Sequence, residues 1–376
     1  MQGSHASGGF THDDVELARR YHRPLYRLLA LDILLSVGVL AALSFSVAGD
    51  WLNDWLGALP WWGAALAFGA IVVLAVRVIR LPLSYWRGFV HEHRFGLSTQ
   101  ALDGWAIDWL KGVSVAVPLT VLPVFALVAL AHAWPQAWPA IAAPGAALLV
   151  VLLGFVAPVV LEPVFNRFEP LADQALVGEL RSLARRAGVP VRDVLVADAS
   201  RRTRKQNAYV SGLGRTRRVV LFDTLVRGTT RGEVVVVTAH ELAHRRERHV
   251  LKGTALGAIG AACLVLVVWA LLRPGPVLDA IGASGPGDPR VVPFIGLVAT
   301  GLELLAAPFS SALSRRWERL ADRISLELTH DRESYRLLHL GLARSNLADL
   351  DPPRIVYVLF ATHPTPPERL AAAGGG

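Results

Sequence analysis

The sequence contains a single cysteine, Cys263, among 376 residues. One cysteine excludes an internal disulfide, and because it lies in an apolar run it supports neither a cysteine zinc site nor a thiol nucleophile. Charged residues are also scarce at 18%, whereas hydrophobic residues reach 53% and the mean hydropathy is +0.42. Soluble domains carry more charge and fewer apolar residues. The composition therefore indicates a membrane protein.

Lysine is rare too, since only Lys111, Lys205 and Lys252 occur among 38 Lys and Arg residues. Such a bias is typical of a GC-rich bacterial genome. The net charge of +8 does not predict nucleic-acid binding, because the arginines are concentrated in loops beside apolar segments, where membrane topology explains them. We therefore expect a lipid bilayer, and no nucleic acid, among the partners.

Six apolar segments are long enough to cross a bilayer, which takes roughly 20 mostly apolar residues. Tryptophans fall at the ends of these segments, as in the aromatic belts of membrane interfaces. The predicted spans are 26–47, 56–76, two crossings within 112–161 that separate near 134–139, 253–272 and 291–314.

The placement of arginine predicts how these spans are oriented. Arginines precede the first span and fill the loop 77–111 and the long segment 162–252, whereas the loops 49–55 and 133–140 contain no Lys or Arg. The positive-inside rule places both termini and the two arginine-rich segments in the cytoplasm. We expect a multi-pass protein of the bacterial cytoplasmic (inner) membrane, with its functional site on the cytoplasmic side.

The segment 239–245 reads A-H-E-L-A-H-R. On a helix, His240 and His244 lie about one turn apart on one face, where two imidazoles can bind one metal ion. In the His-Glu-x-x-His motif of zinc peptidases, the residue equivalent to Glu241 is the general base that activates water, not a ligand. The triple arises by chance in about one of a hundred shuffled chains of this length, so the rest of the site must be found.

A catalytic zinc site needs a third protein ligand. The fifth and sixth spans are joined by a short Pro/Gly-rich loop and should form an antiparallel hairpin, so the lengths of its arms can be compared. The arm 244–273 advances 29 residues and the arm 290–318 advances 28, which makes each about 43 Å long. Glu318 therefore returns to the depth of the motif. Glu303 stops in mid-membrane, and Glu327 overshoots by more than two turns.

Asp322 lies one turn beyond Glu318 on the same helix face. It is well placed to accept the free N–H of a ligating histidine. The alternative is that the charged residues of 314–322 only cap a span where it enters the cytoplasm.

Four stretches now resemble one family, the integral-membrane zinc metalloproteases that cleave CAAX-type prenylated proteins. The resemblance extends from about residue 92 to the C-terminus. It is carried by S-R-R-W-E-R-L-A-D (314–322), the stretch 200–225, E-P-V-F-N-R-F-E-P-L (162–171) and H-P-T-P-P-E-R (363–369).

This resemblance implies a multi-pass α-helical membrane protein with a mainly α (α+β) zincin-type metallopeptidase domain, whose catalytic helices continue the last two spans. It also implies roles for individual residues. These are one Zn²⁺ per chain held by His240, His244 and Glu318, Glu241 as the base, His363 and Arg369 as further catalytic residues, and substrate pairing at Asn207, Ala208 and Tyr209.

The chain departs from the family in two respects. Eukaryotic members have seven spans around a large internal chamber, and six are predicted here. The missing span would be N-terminal, which agrees with a cytoplasmic N-terminus. Thr365 stands where the family's His-Pro-Pro motif has its second proline.

The chain is expected to divide into five sections, the first of them disordered at its start and without a signal-peptide pattern. They are a polar leader (1–25), a four-span region (26–161), a cytoplasmic catalytic segment (162–252), the fifth and sixth spans (253–314) and a C-terminal catalytic segment (315–376).

The residues themselves leave some alternatives open. The stretch 207–213 predicts a hairpin, either structural or an edge for an extended peptide. His363, fixed by neighbouring prolines, is structural or catalytic. His249 should point about 140° away from His244 and lie at the membrane interface.

Polar residues within the spans have two interpretations as well. Asp32, His132 and Glu303 either line a water-filled chamber or take part in helix packing.

We therefore expect a monomeric zinc-dependent endopeptidase that holds its substrate extended. It would hydrolyse membrane-associated or CAAX-like polypeptides near the cytoplasmic membrane face. The alternatives are a general membrane quality-control protease and a non-catalytic receptor or chaperone on a protease scaffold.

Overall fold

The computed structural model describes residues 5–6, 9–160, 162–212, 214–273 and 275–374. Positions 1–4 and 7–8 of the predicted leader, 161 and 213 at the ends of predicted segments, 274 after the fifth span and 375–376 of the predicted C-terminal segment lie outside the described residues.

The N-terminal part is helical apart from one short strand pair. It comprises β1 (His5–Ala6), β2 (Phe10–Thr11), α1 (His12–Phe45), α2 (Val47–Leu56), α3 (Trp61–Ile79), α4 (Leu81–Tyr85), a π-helical turn (Trp86–His91), α5 (Glu92–Arg94), α6 (Leu102–Ala133) and α7 (Trp138–Val160).

The C-terminal part adds a sheet. It comprises α8 (Glu162–Phe165), β3 (Phe168–Pro170), α9 (Gln174–Arg186), β4 (Asp193–Ala197), β5 (Ala208–Ser211), β6 (Arg218–Phe222), α10 (Asp223–Gly228), α11 (Arg231–Arg246), α12 (His249–Leu272), α13 (Gly275–Ala280), α14 (Val291–Thr329), α15 (Arg332–Ser345), α16 (Arg354–Phe360) and α17 (Pro366–Gly374).

Six helices of the described chain are long and apolar enough to cross a membrane: α1, α3, α6, α7, α12 and α14. The prediction of six spans is confirmed. Three of these helices, α1, α6 and α14, extend well beyond the predicted spans. Helix α1 begins at His12, where Thr11 and Asp14 form a capping box, so much of the predicted leader is helical. Helix α14 continues to Thr329, so the sixth span and the start of the C-terminal catalytic segment form one helix, as predicted.

The fifth span is separate from the helix that carries the His-Glu-x-x-His motif. Helix α11 ends at Arg246, and Arg248 adopts a left-handed conformation with φ of 56° before α12 begins. Such a conformation cannot continue a right-handed helix. The predicted continuity therefore holds for α14, whereas α11 and α12 are joined by a turn.

The sheet has the strand order β3-β4-β6-β5, with β4 and β6 parallel and the other two pairs antiparallel. In the hairpin of β5 and β6, Ala208 lies opposite Leu221 and Val210 opposite Val219. The predicted hairpin is therefore present, and β5 is an edge strand. Helices α9, α11 and α15 pack on the sheet around a core that includes Leu180, Leu221 and Leu242.

A second core lies towards the opposite ends of the spans. Each of the six contributes buried apolar side chains there, such as Leu40 of α1, Phe68 of α3 and Val268 of α12. Burial of apolar surface joins the spans at this end, and the catalytic part lies at the other.

Two of the three polar residues in the spans are engaged in packing. Asp32 accepts a hydrogen bond of 2.5 Å from Arg80 Nε, and His132 stacks on Trp61 with ring centroids 4.2 Å apart. Glu303 is exposed on α14. A chamber-lining role stays a prediction for Glu303.

Candidate metal centre

The helix that carries the metal-binding motif is fixed at its start by a capping box. Thr230 N–H donates to Glu233 Oε2 at 2.7 Å, and Glu233 N–H donates to Thr230 Oγ1 at 3.4 Å. This arrangement satisfies two of the free N–H groups of the first turn. The helix then buries one face in the core, which aims His240 and His244 at α14.

Helix α14 approaches α11 closely because small residues face each other. Ala243 of α11 and Ala321 of α14 are both fully buried in one cluster, and Ser325 Oγ donates to Val236 O at 2.9 Å. The close approach brings Glu318 to the two histidines.

Three ligand side chains converge at this point. His240 Nε2 and His244 Nε2 are 3.0 Å apart, and the Glu318 carboxylate lies 3.3 Å from the first and 3.2 Å from the second. Tetrahedral ligands at about 2.0–2.1 Å from zinc would be about 3.3 Å from one another. The donor set therefore fits a zinc ion, and buried Glu318 Oε2 accepts no hydrogen bond from the described residues.

Behind this cluster, Asp322 supports His240. Asp322 Oδ1 lies 2.9 Å from His240 Nδ1, which is the contact that helical spacing predicts. Arg369 clamps the same carboxylate through Nε, at 2.9 Å from Oδ2, and through Nη2. Burial opposes the charge of Arg369, but the Asp322 carboxylate outweighs burial and raises the pKa of the guanidinium.

The surroundings of the motif shift its proton affinities. Burial would lower the pKa of His240, but contacts with the carboxylates of Asp322 and Glu318 outweigh it and raise the pKa to about 9. Burial raises the pKa of Glu241, against the opposing effect of the neighbouring histidines. A carboxylate with a raised pKa is a stronger proton acceptor, as a general base requires.

His363 stands on the open side of the cluster. Its Nε2 lies 3.5 Å from Glu318 Oε1, and its side chain is 61% exposed. The backbone that leads to it is held by α14, since Arg315 Nη1 donates to Ala361 O at 2.6 Å and Ser311 Oγ donates to Leu359 O at 2.9 Å. His363 is thus the site histidine with most access to a substrate.

The predicted substrate residues lie on the edge strand beside α11. Asn207 Oδ1 accepts the Ala208 N–H at 2.9 Å, and Arg245 Nε donates to Val210 O at 3.1 Å. Tyr209 pairs with Val220 between them. Burial raises the pKa of the Tyr209 phenol to about 12, so the group stays neutral.

A cavity of about 930 Å³ adjoins the cluster. It reaches from the catalytic segment to the N-terminal helices. Its lining includes His339, His363 and Arg369 near the cluster, and Tyr21, Glu92 and Lys205 beyond it.

Sequence reasoning missed the polar group at the far side of this cavity. Lys205 Nζ lies 2.8 Å from Glu92 Oε2 and 3.1 Å from the Tyr21 hydroxyl. The group joins three distant parts of the chain, and the rarity of lysine was the only signal for it.

Two further histidines near the site were not predicted there. His339 is buried 4.0 Å from Asp322 Oδ1, and burial together with Arg369 lowers its pKa well below the usual value. The predicted interfacial position of His249 is wrong, because the side chain is 4% exposed and its Nδ1 lies 2.9 Å from His244 Nδ1. The prediction assumed one continuous helix, and the turn at Arg248 interrupts it.

Comparison with known proteins adds family information. Residues 170–375 match peptidase family M48, and residues 4–167 match the CAAX prenyl protease N-terminal family, described as five membrane helices. The described part of that region has four candidate spans; the position of the missing span stays a prediction.

Individual relatives agree with these matches. The chain is 29% identical over 310 residues to the uncharacterized metalloprotease YhfN of Bacillus subtilis (82% of this chain, 72% of the relative). It is 27% identical over 324 residues to CAAX prenyl protease 1 of Saccharomyces cerevisiae (82% and 71%). The crystal structure of S. mikatae Ste24p has a similar fold, with a TM-score of 0.83 at 24% identity over 96% of this chain and 89% of that one.

Proposed function

The chain belongs to peptidase family M48, and from this membership we propose that it is a zinc-dependent endopeptidase of a bacterial cytoplasmic membrane that cleaves extended polypeptides at the cytoplasmic face. The observation that carries the proposal is the convergence of His240, His244 and Glu318 within 4.8 Å of one another, with Glu241 on the same helix as the two histidines. A metal ligand set and a partly buried carboxylate base are the two components that metallopeptidase chemistry needs.

Zinc is the metal that the donors favour. Two imidazoles and one carboxylate form the three-ligand set of catalytic zinc sites, and His240, His244 and Glu318 would hold one ion per chain. When bound, zinc would polarise the scissile carbonyl and lower the pKa of water.

The protein's own groups would move the protons. Glu241 takes a proton from the attacking water and returns it to the leaving amine. Its raised pKa suits the first step, since the group accepts a proton more readily than an ordinary carboxylate. His363, open to the substrate, donates a hydrogen bond to the oxygen that becomes negative. Arg369 holds Asp322, and through it His240, in position.

Strand β5 would hold the substrate extended. Phe222 N–H donates to Asn207 O, so these two residues form a hydrogen-bonded pair. Residue pairs along antiparallel strands alternate between hydrogen-bonded and non-hydrogen-bonded. The backbone N–H and C=O groups of Ala208 and Val210 therefore point away from β6. The Ala208 N–H already donates to the Asn207 side chain, and the Val210 carbonyl already accepts from Arg245. Among the described residues, the Ala208 carbonyl and the Val210 N–H are then left for an added strand.

The substrate class follows from position and relatives. A site at the end of two spans suits polypeptides attached to the membrane, including CAAX-like ones, since CAAX prenyl protease is the name carried by several relatives. General quality-control proteolysis and a non-catalytic receptor or chaperone are the competing functions. We propose that a monomer in the bilayer suffices, without nucleic acid.

Peptide cleavage that depends on zinc tests the proposal. We expect the purified protein in detergent to hydrolyse members of a fluorogenic peptide library, a chelator to stop hydrolysis, and added zinc to restore it. Hydrolysis that a chelator leaves unchanged would contradict the zinc mechanism. Zinc bound without cleavage of any peptide would favour the receptor or chaperone.

The proposed orientation can be tested by thiol labelling, since replacing Cys263 with serine removes the single natural thiol. In that background, Ser284→Cys in the loop before α14 should react with an impermeant reagent in intact cells. Arg185→Cys on exposed α9 should react only after the membrane is opened. Labelling of Arg185→Cys in intact cells would place the site on the outer side.

A further inference from the structure

The turn between α11 and α12 returns the chain to the metal cluster. Arg248 has a φ of 56°, a conformation that is unfavourable for a non-glycine residue and persists only where the surroundings enforce it. His249 follows directly after this turn and lies against His244. Its ring stacks on Trp317 with centroids 4.9 Å apart and an interplanar angle of 8°, so its orientation is fixed.

The contact between His249 and His244 joins two ring nitrogens of the same kind. The Nδ1 atoms are 2.9 Å apart, so one must donate and the other accept. His244 Nε2 faces His240 and Glu318 at 3.0 and 3.2 Å. A metal bound there needs the lone pair of Nε2, which leaves the proton of His244 on Nδ1.

His249 must then be the acceptor. Its own proton lies on Nε2, which is buried and has no hydrogen-bond partner among the described residues. Leaving a buried donor unpaired is unfavourable, because the group loses its hydrogen bond to water. The fold tolerates that cost, and places the accepting nitrogen against His244.

We propose that His249 is a positioning residue that fixes the tautomer and the ring orientation of His244 for metal binding. The two histidines of the motif then have different supports, a carboxylate for His240 and a neutral imidazole for His244. This inference rests on the proposed zinc site, since only a metal at Nε2 requires the proton on Nδ1.

Two substitutions separate positioning from packing. His249→Phe keeps a ring against Trp317 but removes the acceptor. His249→Asn removes the ring but offers Oδ1 near the place of Nδ1. If His249 positions His244, we expect Phe to lower the affinity for zinc about 10–100-fold, the usual effect of losing an outer partner, and Asn to restore most of it.

Zinc affinity is measured by competition with a chelator, and thermal unfolding of the metal-free proteins reports folding separately. Equal affinity of His249→Phe and the unmodified protein would overturn the inference, as would weaker binding by Asn than by Phe. If the Phe variant does not fold, His249→Ala replaces it, and Asn must bind zinc more tightly than Ala. Failure of the unmodified protein to bind zinc would instead overturn the proposed function.

Discussion

Glu241→Gln is expected to reduce the kcat for peptide hydrolysis about 10²–10⁴-fold, the usual contribution of a general base, while the protein still binds zinc. The amide has the size of the carboxylate but cannot accept a proton from water. His240, His244 and Glu318 are untouched, so metal content should not change. Initial rates and metal analysis of the same preparation measure both effects.

Glu247→Gln is the matched control. Glu247 follows the same helix and its carboxylate lies near Arg246, outside the metal cluster. The same change of charge at this position should leave hydrolysis near the unmodified rate. Undiminished turnover by Glu241→Gln would show that another group takes the proton.

Glu318→Gln is expected to remove zinc and, with it, activity. Loss of an outer partner already weakens metal binding about 10–100-fold, so loss of a charged ligand should exceed about 100-fold. The buried Glu318 carboxylate also supplies the negative charge in a ligand set whose other two members are histidines. Chelator competition measures the affinity, and hydrolysis should fall in parallel.

Glu327→Gln provides the control for Glu318→Gln. Glu327 lies on the same helix, but it is exposed and outside the convergence of ligands. Its substitution should leave zinc binding and hydrolysis unchanged. Tight zinc binding by Glu318→Gln would exclude Glu318 as a ligand and reopen the search for the third one.

Features fixed by regular geometry were predictable from the sequence. Counting residues along the two arms led to Glu318, which the structure places 3.2 Å from His244 Nε2. The count holds although the turn at Arg248 breaks one arm, because α12 makes up most of that arm and rises at the constant rate of a helix. Apolar length predicted the six spans, and a short β-branched run after a Gly-Arg-Thr-Arg turn predicted the hairpin of β5 and β6.

Features that depend on a break in regular structure, or on contacts between distant segments, were not predictable from the sequence. The helical projection of His249 failed because Arg248 turns the chain. The Thr11–Asp14 capping box is a local signal for the start of α1 that the sequence reasoning missed, whereas the contacts of the leader lie far along the sequence: Asp14 pairs with Arg344, 330 residues away. No local pattern encodes such contacts, and His339 reaches Asp322 in the same way.

The most direct measurement is the zinc content and the hydrolysis rate of the unmodified protein, Glu241→Gln and Glu318→Gln, determined together. We expect about one zinc and cleavage for the first, about one zinc and almost no cleavage for the second, and neither for the third. Cleavage by Glu241→Gln at the unmodified rate, or by Glu318→Gln after its zinc is lost, would contradict a zinc peptidase built from these residues.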